Sequence, residues 1–375
     1  MTAAEAGLLA HAGGIQFACT VCGRTYPPGK VHHHCPDCGG VFDFAGPLKY
    51  VPPQDTIGGR RGLERFRGTF PVPEQATWVG LGEGGTPLVP IEVGNRLAYL
   101  KCEHLNPTGS FKDRGTAVLV SWLASLGVRE ALEDSSGNAG ASFAAYAARA
   151  GIHARVFVPA YASGPKRRQI EAYGAELVAV PGERTEATRV AIEAAGRGGV
   201  YASHAYLPHG LAGMATLAYE IVEQLGGAPG TVIAPIGQGT LFLGAFRGFM
   251  ALRDAGLISD LPRMVGMQAE ACAPVWRAIR GLAPKPAGET LAEGIRIAWP
   301  LRRSAIVGAV EATHGDVLAV TEGQIEEGMR ALSGRGFFVE PTSATVWQAL
   351  VSPGSEWPDP IVAVLTGSGM KDPWV

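Results

Sequence analysis

From about residue 86 onward, short apolar runs alternate with longer amphipathic segments, and this alternation is what most limits the possible folds. The apolar runs are interpreted as buried strands: Leu97–Glu103, Ala154–Ala160, Ala175–Val180, Gly230–Gly237, Arg263–Glu270 and Pro360–Gly367. The segments between them have helical periodicity and end at glycine. Strand–helix alternation predicts an α/β fold whose mostly parallel sheet is covered by helices on both faces. Ligands of such folds bind beyond the carboxyl ends of the strands, so the residues that follow each strand are the candidate functional residues.

Length, charge and hydropathy narrow the classes of protein further. A chain of 375 residues is long enough for two or three folded units. Its formal net charge of -2 offers no general attraction for nucleic acid or an anionic membrane, so neither partner is predicted. Polar residues interrupt every apolar run before the ~20 residues of a membrane helix. The first 14 residues contain no Lys or Arg, unlike a secretory signal, so we predict a cytoplasmic protein.

Four of the six cysteines form two Cys-x-x-Cys pairs close together near the N-terminus: Cys19, Cys22, Cys35 and Cys38. Two such pairs can place four thiolates around one Zn²⁺, and glycines after each pair free the turns that aim backbone amides at sulfur. We predict a zinc ribbon with a structural metal, since four cysteines leave no open coordination position. Two disulfides or two redox motifs are the alternatives. The neighbouring histidines, residues 32–34, are interpreted as a solvated loop.

Lys112 lies in the stretch HLNPTGSFKDRG, between the first predicted strand and an amphipathic helix. An amine at a helix start feels the positive end of the helix dipole, which favours its neutral, nucleophilic form. That placement suits Schiff-base chemistry. The alternative is an ordinary first-turn lysine paired with Asp113.

Three further loops follow apolar stretches. The first two precede a predicted helix, and the third follows the last predicted strand. Residues 135–140, SSGNAG, form an anion cradle at a helix start or a simple helix cap. Residues 237–241, GQGTL, suit a phosphate but match neither the dinucleotide nor the nucleotide-triphosphate glycine motif, and a plain glycine turn is the alternative. Thr366 ends the last strand, where its hydroxyl could contact a heterocyclic nitrogen or its own backbone.

In this order, the lysine and the three loops resemble the fold-type II pyridoxal-phosphate enzymes, and the chain is most similar to threonine synthase and its close relatives. The resemblance rests on residues 106–114 (NPTGSFKDR), 135–140 (SSGNAG), 144–152 (AAYAARAGI), 292–295 (AEGI), 339–344 (VEPTSA) and 365–372 (LTGSGMKD). It extends to the four-cysteine ribbon, which many bacterial and archaeal threonine synthases carry. It therefore covers almost the whole chain.

The resemblance implies a role for each candidate residue. Lys112 would hold pyridoxal 5'-phosphate as a Schiff base and act as the proton shuttle. The other cofactor contacts would be Phe111 against the ring, Asn138 at the 3-hydroxyl oxygen, Thr366 at the pyridine nitrogen, and Gly237, Gln238, Gly239, Thr240 and Leu241 around the phosphate. The substrate carboxylate would bind Ser135, Ser136 and the amide of Ala139.

The resemblance also implies an organisation: two open parallel-sheet α/β lobes preceded by the ribbon. The expected divisions are a zinc ribbon at 15–45, a linker or arm at 46–78, a large cofactor-binding lobe at 79–120 plus 204–375, and a smaller mobile lobe at 121–203. By family analogy, a homodimer is expected.

The implied reaction converts O-phosphohomoserine and water into L-threonine and phosphate. The substrate phosphate needs a cationic pocket of its own, for which the candidates are residues 166–168, KRR, unless these form only a basic surface turn. Ala139 and Ser368 stand where threonine synthases usually have Thr and His, and residues 204–220 lack a run often found there. The alternatives are therefore a serine/threonine dehydratase, a β-replacement enzyme acting on O-phosphoserine or a similar amino acid, or a catalytically inactive binding protein.

Overall fold

The computed structural model describes residues 15–27, 31–53, 62–161, 164–352 and 357–372. Some parts of the sequence-based predictions lie outside these residues. They are residues 28–30 of the predicted ribbon, residues 54–61 of the predicted linker, residues 162–163, 353–356 and 373–375 of the predicted lobes, and the N-terminal residues 1–14 that were compared with a signal sequence.

The elements below carry the labels used throughout. Among the described residues, twelve strands, β1 to β12, are Phe17–Cys19, Phe42–Phe44, Leu88–Val93, Arg96–Lys101, Glu130–Glu133, His153–Pro159, Glu176–Val180, Val200–Tyr201, Thr231–Pro235, Arg263–Ala269, Asp316–Val320 and Ile361–Val364. In the same part of the chain, eleven helices, α1 to α11, are Lys112–Ser125, Asn138–Ala150, Pro165–Ala172, Arg184–Ala195, Leu211–Leu225, Thr240–Asp254, Pro274–Ile279, Arg303–Ala312, Glu322–Ser333, Pro341–Ala344 and Val346–Val351. Short 3-10 helices span Gly62–Thr69, Glu103–Leu105, Pro208–Gly210, Glu293–Ile295 and Gly369–Lys371.

The chain divides into two compact units, and unit 1 comprises Met1–Gly84 and Lys112–Gly213. Its sheet has four parallel strands in the order β7-β6-β5-β8. Helix α4 covers one face of that sheet with Ala187 and Ala191, which pack with Leu132, Phe157 and Tyr201. Strands β1 and β2 form a separate antiparallel pair that belongs to the ribbon.

Unit 2 comprises Gly85–Phe111 and Met214–Val375. Its six-stranded sheet has the order β11-β10-β9-β12-β4-β3, and only the edge pair β3–β4 is antiparallel among these described strands. All residues of β9 and β12 are buried, as expected for central parallel strands covered on both faces. The carboxyl ends of these two strands lead into the residues predicted to contact the cofactor.

The predicted α/β class with mainly parallel sheets is confirmed, and all six predicted strands are present. Strands β1, β2, β3, β5, β8 and β11 are additional. Strand β8 has two residues, too few to show a period. Helices end near the glycines that the sequence indicated; at the end of α2, Gly151 has a φ of 67° and its N–H bonds the carbonyl oxygens of Ala147 and Ala148.

The segment predicted as a linker or arm is partly folded where it is described. Its 3-10 helix, Gly62–Thr69, buries the side chains of Leu63 and Phe66, and the side chain of the next residue, Phe70, is also buried. The guanidinium of Arg67 donates to the carbonyl oxygens of Pro73 and Ala76. These residues belong to unit 1.

The division into units differs in three places from the predicted lobes: residues 79–84, 112–120 and 204–213 lie in unit 1. The second segment of unit 1 therefore begins at Lys112, and the first segment of unit 2 ends at Phe111. The chain passes from one unit to the other at the peptide bond between these two residues and also after Gly84 and Gly213. None of the described helices combines the length and the hydropathy of a membrane-spanning segment.

Candidate functional site

The four predicted metal ligands come together in the ribbon. Their sulfur atoms all lie within 4.8 Å of one another. Cys19 and Cys38 Sγ are 3.4 Å apart, and Cys22 and Cys35 Sγ are 3.7 Å apart. Four sulfurs bound tetrahedrally to zinc at about 2.3 Å would be separated by about 3.8 Å, so the cluster fits a Zn²⁺ ion. A Cβ on Gly40 would lie 2.8 Å from Cys19 Sγ, which explains the glycine beside the second pair.

The ribbon packs against helix α1 through aromatic rings. Trp122 of α1 stacks on His209, with ring centroids 3.5 Å apart, and Phe17 and Tyr26 of the ribbon contact the same imidazole at 4.5 and 5.5 Å. Burial lowers the pKa of His209 to about 3, so this ring is neutral at physiological pH. The contact is a neutral aromatic cluster, and it joins the ribbon to the helix that begins at Lys112.

The interpretation of residues 32–34 as a solvated loop was wrong for one of them. The ring of His33 is partly buried against Tyr201, with a centroid distance of 5.1 Å, and its Nε2 is buried without a hydrogen-bond partner among the described residues. Burial, followed by the charges of His34 and His32, lowers the pKa of His33 to about 4. His33 is thus a packing residue of the ribbon, and the group of described residues that could hold a metal ion consists of the four cysteines.

Lys112 is the first residue of α1, as predicted, and its side chain is partly buried. The next residue, Asp113, is fully buried and accepts a hydrogen bond of 2.6 Å from Ser142 Oγ on α2. The carbonyl oxygen of Lys112 accepts the Thr116 hydroxyl at 3.0 Å. The first turn of α1 is therefore tied to the neighbouring helix, which limits the positions that the Lys112 backbone can take.

The loop at residues 135–140 connects β5 to α2 within the same unit. Ser135 is buried, its Oγ accepts the N–H of Gly137 at 3.2 Å, and α2 begins at Asn138. Ser136 and Asn138 are partly buried, and Ala139 is buried. A Cβ on Gly140 would lie 1.8 Å from the carbonyl oxygen of Ser135, so the loop closes on the helix only because this residue is glycine.

Replacing Gly140 by alanine is expected to displace this loop. The added methyl group cannot occupy the space of the Ser135 carbonyl, so we expect the free energy of unfolding to fall by about 1–3 kcal/mol and turnover to fall with it. Chemical denaturation and a steady-state assay measure both. The control is Gly308→Ala in α8, where an added Cβ meets nothing within 4 Å and a small gain in stability is expected. Equal behaviour of the two variants would contradict the close approach at Gly140.

Unit 1 also contains polar residues near this loop that the sequence did not single out. Glu133, the last residue of β5, is fully buried, and its Oε1 lies 3.1 Å from His204 Nδ1. Asp134 is buried beside it and accepts the hydroxyl of Thr188. Burial and the charge of Asp134 raise the pKa of Glu133 well above its usual value, although the positive charges of Lys112 and Arg184 act in the opposite direction.

In unit 2, residues 237–241 form the turn between β9 and α6. Gly239 has a φ of 78° and precedes Thr240, the first residue of α6. A Cβ on Gly237 would lie 2.9 Å from the carbonyl oxygen of Gly294, in the AEGI stretch. Gln238 Oε1 accepts the N–H of Leu301 at 3.2 Å. Bare backbone amides at the start of a 15-residue helix are suited to a phosphate, which supports the predicted cofactor contact.

Thr366, at the carboxyl end of β12, lies in a buried cluster of oxygen atoms. Its Oγ1 is 3.0 Å from Ser343 Oγ and 3.4 Å from Glu340 Oε1, and both neighbours come from the VEPTSA stretch. The N–H of Gly367 donates to Ser343 Oγ at 2.9 Å, and the N–H of Phe111 donates to the Thr366 carbonyl at 3.0 Å. The structure therefore places Phe111 beside Thr366 and adds Glu340 and Ser343, which the sequence analysis quoted without assigning a role.

The predicted residues thus form two sets. Unit 1 holds Lys112, Ser135, Ser136, Asn138 and Ala139, and unit 2 holds Phe111, Gly237, Gln238, Gly239, Thr240, Leu241 and Thr366. Each set lies at a helix start or a strand end and includes small or hydroxyl side chains. Such groups bind anions and heterocyclic nitrogens, so both sets fit pyridoxal phosphate.

Fold and sites together define a cofactor-dependent enzyme, and the chain belongs to the family of pyridoxal-phosphate dependent enzymes, whose profile matches residues 79–367. Within this family it groups with the threonine synthases. It is 34% identical over 378 residues to the threonine synthase of Methanocaldococcus jannaschii, covering 95% of this chain and 92% of the relative. It is 36% identical over 334 residues to that of Synechocystis, covering 86% of each chain.

Solved structures show the same fold. Maize serine racemase superposes with a TM-score of 0.67 at 22% identity, covering 76% of this chain and 88% of that one. The threonine deaminase of T.th. superposes with a TM-score of 0.63 at 28% identity, covering 76% and 92%. The predicted fold class, the pyridoxal-phosphate cofactor and the assignment to the lyases are confirmed.

Proposed function

We propose that this chain converts O-phosphohomoserine and water into L-threonine and phosphate. The observation that carries the proposal is the match to threonine synthases over more than nine tenths of both chains, which includes the ribbon as well as the catalytic body. The two residue sets described above are consistent with it. We propose a cytoplasmic location together with this function.

Pyridoxal phosphate, when bound, supplies an electron sink for the carbon atoms next to the substrate amino group. In the proposal, the protein contributes binding, orientation and proton transfer. Lys112 Nζ takes a proton from the substrate carbon chain and returns it, and the hydrogen bond from Ser142 to Asp113 holds the helix turn that carries this amine. Asn138, Phe111 and Thr366 orient the cofactor ring.

The phosphate and carboxylate groups are proposed to bind at backbone amides and hydroxyls. Residues 237–241 would hold the cofactor phosphate at the start of α6, where the helix dipole favours a negative charge. Ser135, Ser136 and the amide of Ala139 would hold the substrate carboxylate at the start of α2. Residues 166–168, in the first turn of α3, are proposed for the substrate phosphate, although Arg167 already pairs with Glu171 at 3.3 Å.

The proposal is tested by incubating the cofactor-loaded protein with O-phosphohomoserine and measuring phosphate and threonine together. Equal amounts of the two products are expected. Oxo-acid formation from threonine and from serine is measured in parallel, because Ala139 stands where threonine synthases usually have Thr. Turnover of the hydroxy-amino acids alone would reject the synthase and favour a dehydratase.

We further propose that the cysteine cluster binds one structural Zn²⁺. Replacing Cys38 by serine is expected to reduce bound zinc from about one ion per chain to near zero, since one of four ligands is lost. The melting temperature should fall by several degrees, because the ribbon packs on α1, while activity per folded molecule persists. Metal analysis, thermal unfolding and turnover are measured.

The matched control for zinc binding is Cys272→Ser, because this buried cysteine of unit 2 lies outside the cluster. It should leave the zinc content unchanged. A Cys38 variant that retains a full equivalent of zinc would contradict the proposed metal site.

A further inference from the structure

The Glu133–His204 pair is a buried carboxyl–imidazole pair with no role in the proposal above. The Glu133 side chain is 1% exposed and that of His204 is 19% exposed, and Glu133 Oε1 lies 3.1 Å from His204 Nδ1. Glu133 ends β5, and His204 comes three residues after β8. The pair is therefore at the carboxyl edge of the unit 1 sheet, the edge at which ligands of α/β folds bind.

Strand pairing brings the segment that contains His204 to the same edge of the sheet as the loop proposed for the substrate carboxylate. Strands β5 and β8 are parallel, Leu132 lies opposite Tyr201, and the N–H of Ala202 donates to the Leu132 carbonyl at 2.8 Å. Ser135 comes two residues after β5, and His204 comes three residues after β8. Both residues therefore lie beyond the carboxyl ends of neighbouring strands, the side of the sheet at which the proposed function puts the substrate carboxylate.

Burying a carboxyl group here is costly to stability. The second oxygen, Glu133 Oε2, is buried and has no hydrogen-bond partner among the described residues. Asp134 adds a negative charge next to it, while Lys112 and Arg184 supply opposing positive charges. A carboxyl group that is only partly satisfied and lies in the field of Lys112 is more typical of an active site than of a core.

A carboxyl partner at one ring nitrogen prepares histidine for proton transfer at the other. The Glu133 contact to Nδ1 sets the ring orientation and couples the tautomer of His204 to the protonation of the carboxyl group. Nε2 is on the opposite edge of the ring. Carboxylate-oriented histidines act as general acids and bases through this second nitrogen.

We propose that His204 is a catalytic acid–base residue for the side chain of the amino-acid substrate and that Glu133 is its positioning residue. The identity of that substrate rests on the proposed function. When the Cγ–O bond of the phosphate ester breaks, its electron pair leaves with the ester oxygen, and His204 Nε2–H gives its proton to that oxygen. When water adds its oxygen to Cβ, one water proton passes to Nε2. The histidine ends in its starting form, and phosphate leaves with one proton.

The test compares His204→Gln, His204→Ala and Glu133→Gln with a matched His–Glu pair on the same sheet. The control pair is His153 and Glu130, in which His153 Nδ1 and Glu130 Oε2 are 3.7 Å apart and both side chains are about half exposed. These residues lie at the amino ends of β5 and β6, away from the edge at which ligands bind. All variants are compared at equal cofactor loading, judged by visible absorption.

We expect His204→Gln to lower kcat about 100-fold with little change in KM, because an amide keeps a hydrogen bond but cannot transfer a proton. Glu133→Gln should lower kcat about tenfold, since it disturbs only the orientation and tautomer of the ring. Added imidazole should restore part of the kcat of His204→Ala and none of that of Glu133→Gln. The variants His153→Gln and Glu130→Gln should stay within about twofold of the parent.

A raised KM with unchanged kcat in His204→Gln, absence of imidazole rescue, or equal losses in the control pair would overturn the proposal. Failure of the proposed function is a separate outcome. If the parent protein turns over threonine or serine in place of O-phosphohomoserine, the variants are compared on that substrate, and His204 Nε2 is then expected to protonate the departing hydroxyl group.

Discussion

Replacement of Lys112 by alanine is expected to abolish the visible absorption band of the bound cofactor and to reduce turnover by at least about 1,000-fold. The amine at the start of α1 is proposed both to attach the cofactor and to move the substrate proton, so both functions are lost together. Lys112→Arg keeps the positive charge and is expected to be as inactive, because a guanidinium is not a usable nucleophile.

The location of the attachment is measured directly by borohydride reduction of the parent protein followed by peptide mass analysis. The cofactor mass is expected on the peptide that contains Lys112. The control is Lys285→Ala, at an exposed lysine of unit 2, which should keep both the band and the activity. An unchanged absorption band in Lys112→Ala would refute the central role of this lysine.

Replacement of Lys101 by methionine is expected to lower the free energy of unfolding by about 3–5 kcal/mol, the largest stability effect that we predict. Lys101 and Glu220 are almost completely buried in unit 2, with Nζ 2.8 Å from Oε2. Lys101 Nζ also donates to Gln224 Oε1 and to the Thr86 carbonyl, and Glu220 Oε1 accepts the N–H of Gly85. Removing the amine leaves a buried carboxylate without its main compensating charge.

The double variant Lys101→Met with Glu220→Met distinguishes two contributions to the free energy of unfolding: the cost of leaving one buried charge unpaired, and the net contribution of the ion pair itself. It is expected to recover much of the loss, because two apolar groups replace two desolvated charges. The control is Arg330→Ala, which breaks the exposed Arg330–Glu326 pair at 3.6 Å on α9 and should cost less than about 1 kcal/mol. Denaturant unfolding measures all of them, and a Lys101 variant no less stable than the Arg330 variant would contradict the prediction.

The central strands and the cysteine cluster were predictable because their signals are local. Strands buried on both faces are continuous apolar runs, so β9 and β12 are visible in the sequence without any knowledge of their neighbours. The four cysteines are similarly marked by their spacing. The start of a helix at Lys112 follows from local periodicity as well.

The pairing of Glu133 with His204 could not be predicted in this way. The two residues are 71 positions apart, and they meet because β8 is added beside β5 at the end of the strand order β7-β6-β5-β8. The contact of Thr366 with Ser343 and Glu340 has the same origin, since a helix start and a strand end distant in sequence are brought together. His33 is buried by a segment that is distant in sequence, and hydrophobic periodicity carries no information about such contacts.

The sequence alone determined the class of fold, the cysteine cluster, and the order of a helix-start lysine, two small-residue loops and a terminal threonine, from which the cofactor was inferred. These features depend on spacing and on hydrophobic pattern over a few residues. The tertiary structure alone decided which side chains pack together around these elements, including the carboxyl–imidazole pair at the carboxyl edge of the unit 1 sheet and the aromatic packing of the ribbon on α1. The reason is physical: short-range periodicity sets the local backbone conformation, whereas contacts between distant segments depend on strand order and on the packing of whole elements.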